Sequence, residues 1–433
     1  MRILIATYWG LPSVGGLEKY IYQLKRGLEA QGHQVDIFSR MPDDSGYHML
    51  NKGWILKKSH LLPLISAQAG TYFAKHIPEI DIAIKHMEIE KFCFEAAAAY
   101  FRPSTYDIIH TQDIFASRAF TRIGHPHQIQ VATIHGCYST ESLARLLEQG
   151  IFNDQYKQTT IWHYFGFIEH LGIMRNAETI LPTQWLKSVM SLDFHIPPDK
   201  MTVVPCGMDI EEFKQDMEKP AVTPDAAGKK VIICTSRFDP VKGHVHLLHA
   251  LLLLKKERFQ NDWVCWLVGD GQVEGKMREL AVSLGLQNEV VFLGKRHDVP
   301  ALLKKADLFV LPSLQDNHPF AIMEAHVSGK PVIVSNAGGI PEMIIDGQTG
   351  LIFPAGDEQR LFAQLNTALN DEGLCRHLSE QSEQWGSYHW SLPVMTERTM
   401  AVYSRAMHKR KAEVREGWTR LRRKQSSVQR RRR

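Results

Sequence analysis

Short apolar runs, each ending in a loop that leads into a helical pattern, predict an α/β protein with parallel sheets. Two such units fill residues 307–342, where the runs Leu308–Leu311 and Pro331–Ser335 are each followed by a loop. Pro319 is expected to open the first helix, and Pro341–Glu342 the second. A strand, a helix and a second strand in this order favour parallel pairing. At 433 residues the chain is too long for one ordinary core, so two domains are expected.

The loops within residues 307–342 combine features that suit an anion with features that suit hydroxyl groups. Gly338 and Gly339 precede a helix start. At the carboxyl edge of a parallel sheet, helix amino termini offer unpaired N–H groups to an anion, and glycines let the backbone approach a ligand closely. Asp316 and Glu324 would repel a phosphate but can accept hydrogen bonds from hydroxyls. A nucleotide sugar, which contains a diphosphate and a polyol, has both characters.

This stretch resembles the donor site of the retaining glycosyltransferases of family 4. In that family an acidic residue and a glutamate are separated by seven residues and are followed by a Gly-Gly-x-Pro-Glu segment. Here the matching positions are Asp316, Glu324 and residues 338–342. The family commonly has Glu where this chain has Asp316, and Gly where it has Ala321, so the contacts of the shorter Asp316 to the sugar are a specific point to examine.

The resemblance also implies roles for these residues. Asp316 would contact the transferred sugar and Glu324 the ribose, with Asn317, Phe320, Gly338 and Gly339 also at the donor. Taken alone, Glu324 would be interpreted as an acid on a helix surface. The surrounding pattern favours the ligand role instead.

The first domain is predicted over residues 1–213. It begins with a strand that starts at Arg2, a loop that contains Gly15 and Gly16, and a helix. The loop lacks the G-x-G-x-x-G pattern and Asp36 lies inside the next strand, so NAD binding is not expected. The resemblance implies that Gly15 and Gly16 face the donor phosphates, and a tight turn that needs glycine is the alternative.

Two further parts of the first domain are candidates for function. Residues 45–78 contain four lysines, no acid and apolar side chains such as Trp54. They fit either an amphipathic segment that contacts an anionic membrane or a lipid-phosphate acceptor, or a solvated helix face. His110 and His135 end predicted strands. The resemblance implies that His135 lies beside the transferred sugar, and a structural histidine is the alternative for His135 and the favoured interpretation for His110.

A linker is predicted at residues 214–230, which are polar and contain two prolines. The second domain is predicted over 231–394. A helix over 395–419 is expected to return to the first domain, as in the family, and residues 420–433 are expected to form a mobile basic tail.

The second domain contains two cations before a helix start. Arg237 and Lys242 flank a loop that follows the apolar run Val231–Thr235, which would put two positive charges where a diphosphate lies. The family uses an Arg and a Lys at these positions for that purpose. By the same resemblance, Gly269, after the next strand, lines the nucleotide side of the site.

Composition and charge restrict the partners. The six cysteines have no paired spacing and are expected to be reduced and mostly buried, and the short amino-terminal apolar run does not fit a signal peptide. The formal charge of +4 is uneven, because the residues from Arg405 onward carry +11 and the rest carry −7. Trp418 is the one aromatic residue in this basic end, so an anionic membrane is favoured over nucleic acid, which is not expected as a partner.

The resemblance implies a GT-B fold, in which two doubly wound Rossmann-like domains face a cleft, with the donor on the second domain and the acceptor on the first. The implied reaction moves a sugar from a nucleotide diphosphate sugar to a glycan or lipid-linked acceptor with retention, in cell-surface polysaccharide or lipopolysaccharide synthesis. Arg237 and Lys242 would stabilise the departing diphosphate, so catalysis without a metal or other cofactor is expected.

Two alternatives stay open at this point, a nucleotide-sugar epimerase and a non-catalytic nucleotide-sugar-binding protein. In all three cases a cytoplasmic protein is expected, and its basic segments would allow peripheral contact with the inner face of the plasma membrane.

Overall fold

The structure, a computed structural model, describes residues 1–13, 15–124, 128–140, 158–224, 226, 228–258 and 262–431, with side chains described up to residue 412. The chain divides into two units. The first consists of Met1–Pro182, Lys187–Val204 and Thr396–Arg433, and the second of Thr183–Leu186 and Pro205–Met395.

Each unit is built on one sheet. The described strands, in chain order, are β1 (Arg2–Gly10), β2 (Gln34–Arg40), β3 (Gly46–Met49), β4 (Trp54–Lys57), β5 (Ile108–Thr111), β6 (Ile129–Thr133), β7 (Glu178–Leu181), β8 (Met201–Val203), β9 (Lys230–Thr235), β10 (Trp263–Val268), β11 (Val290–Gly294), β12 (Leu308–Leu311), β13 (Val332–Ser335) and β14 (Leu351–Phe353).

The first sheet has the order β4-β3-β2-β1-β5-β6-β7-β8, and the second has the order β11-β10-β9-β12-β13-β14. The second sheet is parallel throughout. In the first sheet β3 pairs antiparallel with both of its neighbours, and the other pairs are parallel. The strand order reverses at β1 and at β9, so both sheets have the doubly wound arrangement that the family resemblance implied.

Helices connect the strands. The described α-helices are α1 (Gly16–Ala30), α2 (Lys58–His76), α3 (Ile82–Tyr100), α4 (Ile114–Ile123), α5 (Thr160–Met174), α6 (Gln184–Asp193), α7 (Ile210–Met217), α8 (His244–Glu257), α9 (Glu274–Ser283), α10 (Val299–Lys305), α11 (Phe320–Val327), α12 (Glu358–Asn370), α13 (Glu372–His389) and α14 (Leu392–Arg431).

The apolar runs at 308–311 and 331–335 are strands β12 and β13, as predicted. The two helix starts differ in detail. Pro319 has an extended ψ of 126° and acts as the N-cap of α11, so the helix begins one residue later than expected. The segment at Pro341–Glu342 forms a 3₁₀ turn over Ile340–Met343 rather than an α-helix.

The chain passes into the second unit at Pro205, before the expected boundary at residue 213. Part of the expected linker at 214–230 is the end of α7. This helix has its own cap, because the Asp209 carboxylate accepts a hydrogen bond from the Glu212 N–H at 2.9 Å, and it buries Phe213. A helix of eight residues that buries one apolar side chain shows too little hydrophobic periodicity to be recognised in a sequence.

Residues 45–78 form β3, a 3₁₀ turn, β4 and α2 rather than one amphipathic segment. Two of the four lysines are paired with acids from elsewhere in the chain. Lys52 Nζ lies 2.5 Å from Asp36, and Lys58 Nζ lies 2.8 Å from Asp44 and 2.5 Å from Glu90. Counting only the residues within 45–78 therefore overestimated the positive charge of this segment.

The carboxyl-terminal helix returns to the first unit, as predicted. It is longer than the expected range of 395–419, because α14 spans Leu392–Arg431 and continues through residues 420–431, where a mobile tail was expected. It is anchored on the first sheet by the Tyr403 hydroxyl, which lies 2.7 Å from Nδ1 of His110.

His110 is a structural residue of the first sheet. It is fully buried, and its Nε2 lies 2.7 Å from the Thr133 hydroxyl. Burial lowers the pKa of His110 to about 3, so the ring is neutral near pH 7. This agrees with the interpretation favoured from the sequence.

The six cysteines are unpaired, five of them are buried and Cys375 is half-buried, as predicted. Across the described part of the chain, no helix has both the length and the apolar character that crossing a membrane requires.

His326 on α11 fixes the packing of that helix. Its Nε2 lies 3.1 Å from the Thr349 carbonyl, and the indole N–H of Trp390 donates to its Nδ1 at 3.1 Å. A carbonyl can only accept, so Nε2 carries the hydrogen and Nδ1 accepts from the indole. The bond from Trp390 requires the neutral ring, because a protonated Nδ1 cannot accept, and burial lowers the pKa of His326 to about 3.

We predict that His326 makes the fold sensitive to acid. An unfolded histidine has a pKa of about 6.5, so between roughly pH 6.5 and 3 the unfolded chain binds a proton that the folded ring rejects. The free energy of unfolding should therefore fall with acidification, by about 1.4 kcal/mol per pH unit for this one group.

The test is urea unfolding of the His326→Gln variant at several pH values between about 7 and 5, where histidines titrate. The variant should be less stable at neutral pH, but its stability should fall less steeply on acidification than that of the wild type. The exposed His60 gives the matched control, His60→Gln, which should keep the wild-type slope. Equal slopes for His326→Gln and wild type would contradict the assignment.

Candidate active site

The carboxyl edge of the second sheet carries most of the predicted site residues. Thr235 pairs with Val268 and Leu311 pairs with Val334, so the loops that follow these strands leave the sheet side by side. Gly269 shows how closely they pack, because a Cβ at this position would lie 2.0 Å from the Ser236 carbonyl oxygen. The predicted line of loops at one edge is therefore present.

Gly338 and Gly339 hold the loop after β13 against the loop after β12. Gly338 has a φ of 56°, and a Cβ there would lie 1.9 Å from the Asp316 carbonyl oxygen. The Gly339 N–H donates to that same oxygen at 3.0 Å, and a Cβ on Gly339 would lie 2.3 Å from the Asn317 carbonyl oxygen. In the structure these glycines allow the close approach of the neighbouring backbone, and their expected contact with a donor stays a prediction.

Asp316 and Lys242 are in direct contact. Lys242 Nζ lies 2.5 Å from Asp316 Oδ2, and the two side chains are only 15% and 13% exposed. The Ser313 hydroxyl donates to the same oxygen at 3.2 Å, and the Asn317 N–H donates to Oδ1 at 3.1 Å. The carboxylate assigned to the sugar and the cation assigned to the diphosphate thus lie together, which the sequence did not reveal.

Arg237 differs from Lys242 in having no partner. It follows β9 and is exposed, and within the described part of the chain its side chain makes no hydrogen bond or ion pair. Its planar guanidinium is always charged, and its N–H donors are available to an anion. At this edge Lys242 is therefore compensated by a carboxylate and Arg237 is not.

Two histidines lie close to these residues in the chain, His244 as the first residue of α8 and His318 in the loop before α11, and sequence reasoning missed both. His244 is buried, its Nε2 lies 3.1 Å from the Ser236 hydroxyl, and its ring stacks on Phe238 at 4.4 Å. Burial lowers the pKa of His244 to about 4. His318 packs edge-on against Trp390, and burial lowers its pKa to about 4 as well. Both rings are neutral near pH 7 and add no charge to the loops.

Glu324 lies inside α11 and is only 7% exposed. It is therefore not an acid on a solvent-exposed helix surface, which was the alternative interpretation. Asn317 is also buried, and its Oδ1 accepts a hydrogen bond from the Thr183 hydroxyl. Phe320 is half-buried at the first turn of the same helix. These residues share the edge with Asp316, and their predicted contacts to the ribose and the sugar stay predictions.

Glu342 has a structural role that the motif did not indicate. Its carboxylate accepts hydrogen bonds from the backbone N–H groups of Gln184 at 2.7 Å and Trp185 at 2.5 Å, both within the second unit. No local pattern in the sequence predicts a contact across this separation.

The first unit holds the three remaining predicted residues. Gly15 is the N-cap of α1 and Gly16 is its first residue. His135 follows β6, and the edge of its ring contacts Tyr20 of α1 at a centroid distance of 4.5 Å. The start of α1 and His135 therefore lie close together within this unit.

Gln112 determines the tautomer of His135. This buried glutamine has its Nε2 3.4 Å from the His110 carbonyl, so its Oε1 is the atom that faces His135 Nε2 at 3.2 Å. An amide oxygen can only accept, so Nε2 of His135 carries the hydrogen. The predicted position of His135 beside the transferred sugar is not tested by this geometry.

Comparison with known proteins decides the family. The family model described as "Glycosyltransferase Family 4" matches residues 14–212, and the family model described as "Glycosyl transferases group 1" matches residues 215–385. The chain belongs to glycosyltransferase family 4.

The individual similar proteins share low sequence identity with this chain, but the similarity extends over most of its length. The MMP alpha-(1->4)-mannosyltransferase of Mycolicibacterium hassiacum is 25% identical over 94% of this chain and 98% of that protein. The UDP-Gal:alpha-D-GlcNAc-diphosphoundecaprenol alpha-1,3-galactosyltransferase of Escherichia coli is 26% identical over 62% of this chain and 68% of that protein. The Anabaena protein Alr3699/HepE, solved in complex with UDP, has a TM-score of 0.65 and 19% identity and covers 93% of this chain and 100% of that structure.

The likeness to the solved structure confirms the predicted GT-B fold of this family 4 glycosyltransferase. The matches also confirm the predicted class of activity, because the two relatives named above are glycosyltransferases. They give no support to the epimerase alternative.

We predict that Arg237 contributes directly to nucleotide binding. Removing an unpaired guanidinium that meets a diphosphate should weaken binding at least about tenfold, since charge-assisted hydrogen bonds are stronger than neutral ones. Titration calorimetry of Arg237→Ala with UDP, GDP, ADP, CDP and dTDP would measure this loss. The exposed Arg360 on α12 provides the control, and Arg360→Ala should bind as the wild type does. Unchanged affinity in Arg237→Ala would contradict the assignment.

Proposed function

We propose that the enzyme transfers a hexosyl group from a nucleoside diphosphate sugar to a hydroxyl of a glycan or lipid-linked acceptor, with retention and without a metal. The observation that carries this proposal is the contact of Lys242 with Asp316 at the same sheet edge that carries the unpaired Arg237. Positive groups for a diphosphate and a carboxylate for sugar hydroxyls lie together at the carboxyl edge of a parallel sheet.

The donor is proposed to lie with its diphosphate between Arg237 and Lys242. Asp316 accepts hydrogen bonds from hydroxyls of the transferred sugar, and the buried Glu324 accepts from the ribose. The names of two similar proteins support a nucleoside diphosphate sugar as the donor. The Anabaena relative was solved with UDP, and the Escherichia coli relative is named for a UDP-linked sugar.

In the proposed reaction, the bond between the anomeric carbon and the diphosphate oxygen breaks and a bond from that carbon to the acceptor oxygen forms. Negative charge grows on the departing diphosphate, where Arg237 and Lys242 stabilise it. The acceptor proton passes to a phosphate oxygen on the same face of the sugar, which gives retention without a protein nucleophile. Support for metal independence comes from these two cations, which supply the charge that a divalent ion otherwise provides.

The acceptor class is proposed from the family and from its members. The Escherichia coli relative is named for a diphosphoundecaprenol acceptor, which is lipid-linked. We accordingly propose a role in cell-surface polysaccharide or lipopolysaccharide synthesis.

We further propose that the enzyme is cytoplasmic and contacts the inner face of the plasma membrane. Several large apolar side chains of β4 and α2 are exposed, namely Trp54, Ile55, Leu64 and Tyr72. The exposed Lys57 and Lys75 lie in the same segment. Exposed apolar and basic side chains together suit an anionic lipid surface. The basic residues of 420–433 would add to the attraction.

The first experiment is a thermal-shift assay with the five nucleoside diphosphates and their common sugars, in EDTA and then with magnesium. Stabilisation by one nucleotide family that persists in EDTA supports a metal-free donor site. The stabilising donor is then used in hydrolysis and transfer assays. No stabilisation by any of them would refute the proposal, and stabilisation without turnover would favour the non-catalytic alternative.

We predict that Glu324→Gln lowers the transfer rate at least about tenfold, because a charged acceptor of ribose hydroxyls becomes a neutral one. The exposed Glu279 on α9 gives the control Glu279→Gln, which should be unaffected. A donor that lacks the 2′-hydroxyl should lose activity with the wild type but little more with Glu324→Gln. Equal further losses in both proteins would remove Glu324 from the ribose.

For the membrane, we predict that deleting residues 420–433 lowers binding to vesicles containing anionic lipid. Each basic residue near an anionic surface contributes roughly 1 kcal/mol, and added salt should weaken the attraction. Sedimentation with anionic and with neutral vesicles measures the effect, and hydrolysis of soluble donor should persist. Equal binding of truncated and full-length protein to anionic vesicles would rule out a role for this segment.

A further inference from the structure

An aromatic cluster with one exposed face lies at the carboxyl edge of the first sheet. Trp9 near the end of β1, Phe115 at the start of α4 and Tyr138 after β6 are mutual neighbours. The ring centroids are 5.9 Å apart for Trp9 and Phe115, 6.0 Å for Trp9 and Tyr138, and 4.7 Å for Phe115 and Tyr138. Three different strand ends therefore supply one surface.

The cluster has a buried floor and an open rim. Phe115, Phe165 and Tyr8 are buried and contact the other rings. Trp9 is 38% exposed and Tyr138 is half-buried. Within the described part of the chain no ring is stacked parallel on the indole, since its neighbours contact it at interplanar angles of 39° to 80°.

The polar groups on the rim are unused. In the part of the chain that the structure describes, neither the indole N–H of Trp9 nor the hydroxyl of Tyr138 makes a hydrogen bond. By contrast, the indole N–H of Trp390 in the second unit donates to His326. A rim that offers an apolar ring together with unpaired donors suits a ligand that is apolar on one face and carries hydroxyls around its edge.

Charge is nearly absent from this rim. The cations that contact the floor are already engaged, because Lys91 lies over Phe115 and donates to the Tyr164 hydroxyl at 2.8 Å. Arg40 lies over Tyr8 and is bound to Asp44. A phosphate or another strongly charged group therefore finds no free partner among these residues.

We propose that Trp9 and Tyr138 form the subsite for the sugar ring of the acceptor, an uncharged pyranose whose C–H face stacks on the indole and whose hydroxyls bond to the rim. This inference rests on the proposed function and names the acceptor's reacting residue. Both Tyr138 and His135 follow β6, three positions apart, and the family resemblance links His135 to the transferred sugar.

The test is saturation-transfer NMR on the full-length enzyme with methyl glucopyranoside, methyl mannopyranoside and methyl galactopyranoside. Sorbitol serves as the comparison probe, because it carries similar hydroxyls but has no ring face. We expect saturation of ring C–H protons of at least one pyranoside and a much weaker signal for sorbitol. Trp9→Ala should reduce affinity for that pyranoside about tenfold, and Trp9→Phe should retain most of it.

Tyr22 provides a matched control. It is 40% exposed on α1 of the same unit and lies outside the cluster, so Tyr22→Ala should bind the pyranoside as the wild type does. Circular dichroism and thermal unfolding check that Trp9→Ala is folded. If it is not, Trp9→Phe and Tyr138→Phe are compared instead, and the latter should lose only the hydroxyl contact.

The outcomes separate this proposal from the proposed function. No signal with any pyranoside, equal signals for pyranosides and sorbitol, or full binding by folded Trp9→Ala would overturn the subsite. Nucleotide-induced thermal stabilisation of the wild type tests the donor site independently. Stabilisation by a donor together with pyranoside binding that ignores Trp9 would leave the transferase assignment intact and refute only the subsite.

Discussion

The donor edge depends on one close approach of two backbones. The loop after β13 lies against the loop after β12 because residue 338 has no side chain and adopts a positive φ, and any Cβ there would collide with the Asp316 carbonyl oxygen. That contact fixes the backbone of Asp316, and the Asp316 carboxylate in turn binds Lys242. The charged groups assigned to the donor are thus positioned by a constraint that involves no charge.

In the first unit, buried side-chain hydrogen bonds rather than a close backbone contact position the candidate site residue. His110 and Gln112, both buried, link strand ends by hydrogen bonds, and these bonds orient His135 and anchor α14. Buried polar groups of this kind are costly unless each is satisfied, so they specify one arrangement of the sheet edge. The neutral state of His110, whose pKa burial lowers to about 3, is part of that arrangement.

Much of the fold could be predicted from the sequence because parallel strands that are covered on both faces leave continuous apolar runs. β9, β12 and β13 were recognised in this way. Elements that depend on one tertiary contact were not, and the end of α7, a helix with Phe213 as its one buried side chain, was assigned to a linker. The pairing of Lys52 and Lys58 was missed for a related reason, since their acidic partners lie outside residues 45–78.

The candidate site, like the fold, could be predicted only in part from the sequence. Motif spacing identified Arg237, Lys242, Asp316 and Glu324 as individual candidates. The pairing of Lys242 with Asp316 joins loops 74 residues apart, and neither spacing nor period encodes such a contact. Glu342 looked like part of a ligand loop but binds backbone N–H groups of residues 184 and 185. Sequence patterns thus indicated candidate residues, and only the fold showed which groups they contact.

Under the proposed roles, the ion pair between Lys242 and Asp316 also has a consequence for turnover. With a complete donor bound, sugar hydroxyls would satisfy Asp316 and leave the lysine to the diphosphate. Once the sugar had been transferred, the Asp316 carboxylate would compete with the nucleoside diphosphate product for the same ammonium group. The proposal therefore implies that this ion pair favours product release.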